Sequence, residues 1–278
     1  MNIRLTESEL YGIICEVVEV STDKDKEYLE TVKSGDMENA ARLVQRAAEA
    51  AISGTKVVDG KGKPVVVYHG TPKGGFYVFD TKEGKKSKSK NQLDFGSHFT
   101  ANKEQASEYQ GSNRRNKNRK VYPVYLNLKN PIDVTQDGEH IVLIKSLTDD
   151  PEYAVTNIHP ELVDTLHEVL TKQELKKYRT NESRIDAYNL WTMLNDMSPK
   201  RAREVIEALG FDGVKYDARY QMGGLVAPGY RHNERRDVSY IALRREQIKS
   251  AEPVTYDDGG NVIPLSQRFD MSKDDIRY

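Results

Sequence analysis

Two short histidine motifs are the residues of this chain whose types and spacing are best suited to chemistry. Residues 69–71 read His-Gly-Thr and follow an apolar run at 65–67 that is typical of a strand. Residues 98–100 read His-Phe-Thr, and Tyr109 follows in the next predicted helix. Imidazoles hydrogen-bond near neutral pH, a tyrosine ring can stack on a flat ring, and glycine permits close approach to the backbone. With a late strand at 239–243 to close them, these groups can form a pocket for a ligand that carries a flat ring.

The elements that must position these residues begin with a pair of helices. Residues 24–34 predict a short helix that Gly35 stops. Asp36 is expected to cap a second helix that runs to residue 52, and Gly54 ends it. We expect this pair to pack against the main domain.

Strand signals dominate the next part of the chain. Residues 55–58 and 64–68 flank a glycine-containing turn and predict a hairpin. Residues 95–100 predict a strand, 104–109 a helix, and 121–128 an alternating strand. A segment at about 140–210 is predicted to be a helical insert, after which strand signals return. Helices, strands, a helical insert and further strands together predict an α+β fold.

Several classes of protein are disfavoured by what the sequence lacks. No Gly-x-Gly-x-x-Gly follows the first strand, and there is no phosphate loop of the NTPase type. The single cysteine excludes an internal disulfide, and the six histidines show no close metal-ligand spacing. We therefore predict no metal site.

Charge gives the chain no global preference for nucleic acid or membrane, because the formal net charge is −1. Basic loops at 85–90 and 114–120 are either solvated mobile loops or contacts for a phosphate-bearing substrate. No signal-peptide core and no run of membrane-spanning length is present. We expect a soluble, intracellular chain or one part of a larger polypeptide, and the oligomeric state stays open.

The His-Gly-Thr motif resembles the first motif of the diphtheria-toxin and poly(ADP-ribose) polymerase branch of ADP-ribosyltransferases. More narrowly, the chain resembles the ADP-ribosyltransferase domains of phage and prophage polyvalent proteins, from about Lys26 to the C-terminus. Further pieces in the same order carry the resemblance: residues 27–48, 121–131, 210–214, 247–256 and 261–278. The resemblance implies a split antiparallel β-sheet core. We predict a helical lead-in at 1–54, the main domain at 55–256 with the insert at about 140–210, and a polar tail at 257–278.

The implied reaction is cleavage of the nicotinamide–ribose bond of NAD+ and transfer of ADP-ribose to an acceptor. As in glycoside hydrolysis, positive charge builds on the sugar. We expect a mono-ADP-ribosyltransferase that acts, like a toxin or effector, on a protein or nucleic acid of the host. A phage-derived enzyme of this kind would work in the bacterial cytoplasm.

The resemblance also implies roles for individual residues. Gly70 would bind the nicotinamide amide through its backbone, His69 would donate to a ribose hydroxyl, and Thr71 would support the adenosine side. Tyr109 would stack on nicotinamide, and His98 takes a position that is a tyrosine in the poly(ADP-ribose) polymerases. The full set expected to bind NAD+ is His69, Gly70, Thr71, His98, Phe99, Thr100 and Tyr109.

The third motif departs from the pattern of the branch. Ser239 stands before Tyr240 and Ile241, where the branch places a glutamate. Glu234 is the nearest carboxylate at a place where the phage-type domains also carry acidic residues, and Asp237 is the other candidate. We therefore predict a catalytic set of Glu234, His69 and Ser239. Two alternatives stay open: an inactive NAD-binding or interaction module, and a metal-independent RNA-processing enzyme that uses His69 and His98.

Overall fold

A computed structural model describes most of the chain. The residues described are 23–80, 95–110, 118–133, 135, 141–144, 155–158, 160–178, 193–194, 196–217 and 238–278. The predicted catalytic carboxylates Glu234 and Asp237, the basic loop at 85–90 and most of the second basic loop lie outside these residues. Their predicted roles therefore stay predictions.

The N-terminal helices form as the sequence predicts. Helix α1 spans residues 23–34 and α2 spans Met37–Ala51. The side chain of Asp36 accepts a hydrogen bond from the amide of Asn39 at 3.1 Å, which satisfies a donor of the first turn of α2. Gly35 has a φ of 79°, in the left-handed region that favours glycine at a helix end.

In the described part of the chain, nine strands and four further α-helices follow. The strands are β1 Val67–Thr71, β2 Ser97–Thr100, β3 Lys120–Leu126, β4 Pro131–Asp133, β5 Ile141–Ile144, β6 Val155–Ile158, β7 Gly213–Asp217, β8 Val238–Ala242 and β9 Ile248–Ser250. The helices are α3 Lys103–Glu108, α4 Pro160–Val169, α5 Lys172–Tyr178 and α6 Pro199–Ala208.

One curled sheet of seven strands forms the core, in the order β4-β7-β8-β2-β1-β3-β9. Its pairs are antiparallel except for the parallel pair β4 and β7. Helices pack over one face, and the other face carries an apolar cluster that includes Val67, Phe99 and Tyr122. The architecture is the predicted α+β fold.

The sheet is nearly divided between β1 and β2. These strands share a single register pair, Tyr68 with Thr100, whereas β1 and β3 share five pairs and β2 and β8 share four. Beyond Tyr68 no further register pair joins the two strands, and residues of both histidine motifs border this split. The fold thus places the candidate chemistry at the split of the sheet.

The first part of the predicted helical insert is a hairpin. Strands β5 and β6 pair antiparallel, from Ile141 with Ile158 to Ile144 with Val155. The run Ile-Val-Leu-Ile is rich in β-branched side chains, which lose rotamer freedom in a helix and pack well on a pleated surface. The helical prediction is therefore corrected for 141–144 and 155–158, while helices do form at Pro160–Val169, Lys172–Tyr178 and Pro199–Ala208.

The C-terminal segment differs from the polar tail that its composition predicts. Within 257–278, Ile263, Leu265, Phe269 and Ile276 are buried. The amide of Ser250 donates to the carbonyl oxygen of Ile276 at 2.7 Å, so this segment covers the outer edge of β9. Few apolar side chains at wide spacing were enough to bind it, because Leu265, Phe269 and Ile276 each enter a core cluster of the main domain. No helix in the described ranges is long and apolar enough to cross a bilayer.

Candidate functional site

His69 lies on β1 with its imidazole directed at the neighbouring strand. Its Nδ1 is 2.8 Å from the carbonyl oxygen of His98. A carbonyl only accepts hydrogen bonds, so Nδ1 carries the proton and donates it. Burial lowers the pKa of His69, which favours the neutral ring at neutral pH. In that neutral ring Nε2 carries a lone pair, so this atom accepts hydrogen bonds.

This hydrogen bond belongs to the split itself. Beyond the single pair of Tyr68 with Thr100, β1 and β2 have no register pairs that would join their backbones. The ring of His69 reaches the backbone of β2 in their place, and it packs edge-on against Phe79 and at a tilt against Phe99. The histidine therefore has a structural function at the split besides any role in binding.

Gly70 permits helix α3 to lie against β1. A Cβ at this position would stand 1.6 Å from the carbonyl oxygen of Ala106 and 3.3 Å from Cβ of Tyr109. Only a residue without a side chain allows this approach. Tyr109 caps the C-terminal end of α3 and is 46% exposed. The structure thus packs Tyr109 against Gly70, whereas the ring of the adjacent His69 lies on the opposite face of the strand, against Phe79 and Phe99.

Thr71, Phe99 and Thr100, which the sequence also assigns to NAD+ binding, have partners within the fold. Thr100 is buried, and its hydroxyl interacts with Oε1 of Gln105 at 2.5 Å and accepts from the amide of Asn102 at 3.2 Å. Phe99 is buried in the apolar cluster on the face of the sheet that also carries His69. The Thr71 hydroxyl accepts from the amide of Lys73 at 3.2 Å, at the half-buried end of β1.

His98 contacts a residue that sequence reasoning missed. Its Nδ1 is 3.0 Å from the hydroxyl oxygen of Tyr216 on β7. Tyr216 is 1% exposed, and burial raises the pKa of its phenol while a hydrogen bond with Ser239 opposes that rise. Ser239 is itself buried. The hydroxyls of Ser239 and Tyr216 and the ring of His98 therefore form one connected group.

Strand register explains how this group assembles. Thr100 lies opposite Ser239, and Ser239 lies opposite Tyr216, so the three side chains share one face of the sheet. His98 is two residues before Thr100 and lies on the same face. His69 is out of phase by one residue, since Tyr68 is the partner of Thr100, and it lies on the opposite face. The only signal in the sequence for Tyr216 was its place on a predicted strand.

Residues from several of the segments that carry the family resemblance meet at a structural joint, away from the split between β1 and β2. The Asp212 carboxylate accepts from the amides of Lys129 and Asn130, at 2.6 and 3.0 Å. The side chain of Gln247 donates to the carbonyl oxygen of Asp212 at 2.8 Å. A Cβ on Gly213 would lie 2.9 Å from the carbonyl oxygen of Ile241. These residues fix the turn that leads into β4 and the start of β7.

Within the described ranges, no three side chains of His, Cys, Asp or Glu come close enough together to hold a metal ion.

Comparison with known proteins gives one match. Residues 59–255 match the family described as ADP-ribosyltransferase in polyvalent proteins. The matched range covers more than half of the chain and includes β1, the split and β8. Neither the comparison with curated proteins nor the comparison with solved structures gave a match.

Proposed function

The chain belongs to the family of ADP-ribosyltransferases in polyvalent proteins, and from this premise we propose that it cleaves NAD+ and transfers a single ADP-ribose to a host macromolecule. One observation supports the location of this activity most directly. The register of β1 and β2 stops after one pair, and beside it the ring of His69 bonds to β2 while Tyr109 packs against Gly70. These are the residues for which the sequence predicts nucleotide contacts.

The proposed binding mode uses what each group offers. Tyr109, half-exposed at the end of α3, stacks on the nicotinamide ring. The backbone of Gly70 binds the nicotinamide amide. Nε2 of His69 accepts a hydrogen bond from a ribose hydroxyl, because Nδ1 carries the proton of the ring and donates it to the carbonyl oxygen of His98. This reverses the donor role that the resemblance implied for a histidine at this position.

The reaction breaks the bond between C1′ of the nicotinamide ribose and the pyridinium nitrogen. The bonding electron pair goes to the nicotinamide ring, which leaves as a neutral molecule, and the ribose develops oxocarbenium character. The acceptor forms a new bond to C1′ and loses a proton. A nearby negative charge stabilises the cationic sugar, and loss of one such preorganised group commonly costs about 10²–10³ in rate.

The negative charge is assigned to Glu234, with Asp237 as the alternative. Ser239 is uncharged, buried and hydrogen-bonded to Tyr216, so it offers no charge to the sugar. Glu234 and Asp237 both precede β8 in the chain and lie outside the described residues. Their assignment rests on their place in the sequence.

Turnover of NAD+ by the purified chain, with cell lysate as the acceptor, tests the proposal. We expect nicotinamide release and ADP-ribose on lysate material, and treatment with nuclease or protease identifies the acceptor class. Tyr109→Ala and Glu234→Gln should each lower turnover, the latter by about 10²–10³. His69→Asn keeps an N–H near the position of Nδ1 but lacks Nε2. It therefore tests the contribution of Nε2 to NAD+ binding separately from the structural hydrogen bond between residue 69 and the carbonyl of His98. His167→Asn, on α4, is the matched control and should retain activity.

A non-catalytic NAD-binding module is the second candidate. The observation that favours it is the uncharged, buried Ser239 at the place of the expected glutamate. For this candidate, calorimetry would detect NAD+ binding that Tyr109→Ala weakens, while wild type releases no nicotinamide. Absence of both binding and release would contradict both candidates.

A further inference from the structure

We propose that Ile276 is a positioning residue of the nucleotide site: it anchors the segment 76–80, which carries Phe79 to the split between β1 and β2 and against the ring of His69. The effect on NAD+ rests on the proposed function, and the anchoring rests on the described contacts. Ile276 lies outside the matched range 59–255, so the site depends on a residue beyond the part of the chain that carries the family match.

Phe79 packs against residues from both sides of the split. Its ring centroid lies 5.0 Å from that of His69 on β1, edge-on, and 5.4 Å from that of Phe99 on β2. The rings of His69 and Phe99 also contact each other, with centroids 5.6 Å apart. Phe79 is buried, so the three rings form one packed group where the register of the two strands stops. Because protein interiors are close-packed, a shift of Phe79 is transmitted to the ring of His69.

The segment that carries Phe79 is held at its beginning by Tyr122 on β3. The Tyr122 hydroxyl accepts hydrogen bonds from the amides of Gly75 and Phe76, at 2.8 and 3.2 Å. The rings of Phe76 and Tyr122 stack with their centroids 4.7 Å apart. These contacts fix where the segment begins.

Ile276 anchors the segment from the C-terminal part of the chain. Its amide donates to the carbonyl oxygen of Tyr77 at 2.8 Å, and its own carbonyl oxygen accepts from the amide of Ser250 on β9 at 2.7 Å. Its side chain is 4% exposed and lies in the same apolar cluster as Phe79. Ile276 therefore connects the segment to the edge of the sheet through both its backbone and its side chain.

Arg245 adds a weaker connection beside this anchor. Its guanidinium lies 3.6 Å from a carboxylate oxygen of Asp80 and 3.5 Å from one of Asp274. Both carboxylate side chains are more than half exposed, and ion pairs between exposed groups individually contribute little to stability. The burial of Ile276 is therefore the contact that keeps the segment in place.

Nuclear magnetic resonance of the ¹³C-labelled chain without nucleotide tests the link between Ile276 and His69. The ring signals of His69 are identified by their loss in His69→Asn, and Phe79→Leu shows how they move when the neighbouring aromatic ring is absent. We expect Ile276→Ala to shift these signals in the same direction as Phe79→Leu, because the segment loses its anchor. If Ile276→Ala does not fold, Ile276→Val provides the same comparison with a smaller shift.

Leu265→Ala is the matched control for this experiment. Leu265 is buried in the same C-terminal segment and loses as many carbon atoms as Ile276 on replacement by alanine, but it packs with α2 in a different cluster. It should leave the ring signals of His69 unchanged. Unchanged signals in a folded Ile276 variant, or equal shifts in the Ile276 and Leu265 variants, would overturn the proposal.

NAD+ turnover tests the consequence for the site. We expect Ile276→Ala to raise KM for NAD+ roughly threefold to tenfold relative to Leu265→Ala, the loss expected when one hydrogen bond to the ribose is weakened. The change in kcat should be smaller, because that bond is present before the reaction as well as during it. Equal KM values in the two variants would contradict the role of Ile276 in the nucleotide site. Wild type without turnover, but with the expected shift of the His69 signals, would refute the proposed function and leave the link from Ile276 to His69 standing.

Discussion

At the residue scale, the two histidines differ in the group that each ring contacts. Nδ1 of His69 donates a hydrogen bond to the carbonyl oxygen of His98, whereas Nδ1 of His98 faces the hydroxyl of Tyr216. Equal residue types in similar sequence motifs thus meet different partners, a backbone carbonyl in one case and a buried phenol in the other. A carbonyl fixes the proton of the neutral His69 ring on Nδ1, because a carbonyl only accepts hydrogen bonds.

Gly70 provides a prediction at this scale. Gly70→Ala places a methyl group 1.6 Å from the carbonyl oxygen of Ala106, a backbone atom that moves only with helix α3. We expect a loss of about 1–3 kcal/mol in the free energy of unfolding, typical of an overpacked site. Because Tyr109 moves with the helix, NAD+ binding should weaken as well. Urea unfolding and calorimetry provide the two measurements.

Gly60→Ala is the matched control for this prediction. No heavy atom lies within 4 Å of a Cβ at Gly60, so the control should be near neutral in stability. Equal stabilities of the Gly70 and Gly60 variants would show that α3 does not depend on a glycine at residue 70.

At the element scale, the split between β1 and β2 depends on how each half of the sheet is supported. The half with β2, β8 and β7 carries the helices α4 and α6, through side chains that pack on Val214 and Ile241. The half with β1, β3 and β9 carries α2, which shares a core with Tyr125. Each half therefore has its own helical layer. On the other face one apolar cluster joins the halves, because Val67 of β1 and Phe99 of β2 are buried in it together.

The joint at Asp212 leads to a prediction at the element scale. Asp212→Ala removes the acceptor for the amides of Lys129 and Asn130, which precede β4. We expect the free energy of unfolding to fall by about 1–2 kcal/mol, because two donors lose a charged partner at an exposed site where water can replace it. Glu30→Ala removes an exposed carboxylate on α1 and should be near neutral. Thermal unfolding measures the stabilities of the two variants, and equal Tm values for them would contradict the assigned role of Asp212.

At the scale of the whole molecule, the C-terminal segment connects parts of the chain that are far apart in sequence. The buried guanidinium of Arg268 donates to the carbonyl oxygens of Ser250 and Glu252, both at 2.9 Å. The Tyr28 hydroxyl of α1 donates to the carbonyl oxygen of Pro253 at 2.9 Å. A buried charge in such a network is costly to leave unpaired, so these contacts bind the segment to both β9 and α1.

Lys249 supplies a pH-dependent prediction for this connection. It is buried on β9, and its Nζ donates to the carbonyl oxygen of Lys273 at 2.7 Å. Burial lowers its pKa from the ordinary 10.5 to about 8, against the attraction of nearby carboxylates, namely Asp270, Asp275, Asp274 and Glu246. Between these two values the unfolded state binds more protons than the folded state. The free energy of unfolding must therefore rise with pH in this window.

Lys249→Met removes that pH dependence. Relative to this variant, wild type should gain stability between pH 8 and 10, by at most about 1.4 kcal/mol per pH unit. Chemical unfolding at several pH values measures the difference. A difference that stays constant with pH would show that Lys249 keeps its ordinary pKa in the folded chain.

The sequence alone determined the features that depend on neighbouring residues or on ordered motifs. Asp36 caps α2 because its side chain reaches an amide three residues ahead, and the glycine at residue 35 ends α1 because it adopts a positive φ. The order of helices and strands predicted the α+β class. The order of motifs predicted the family that the comparison shows.

Only the tertiary structure decided which groups meet across the sheet. Tyr216 is 118 residues from His98, and their contact depends on the register of β7, β8 and β2 together. A shift of one residue in any of these strands would turn its side chains to the opposite face, and sequence patterns do not fix register to that accuracy. The same reason applies to the C-terminal segment. Its few apolar residues are buried only because the rest of the fold provides the clusters that receive them.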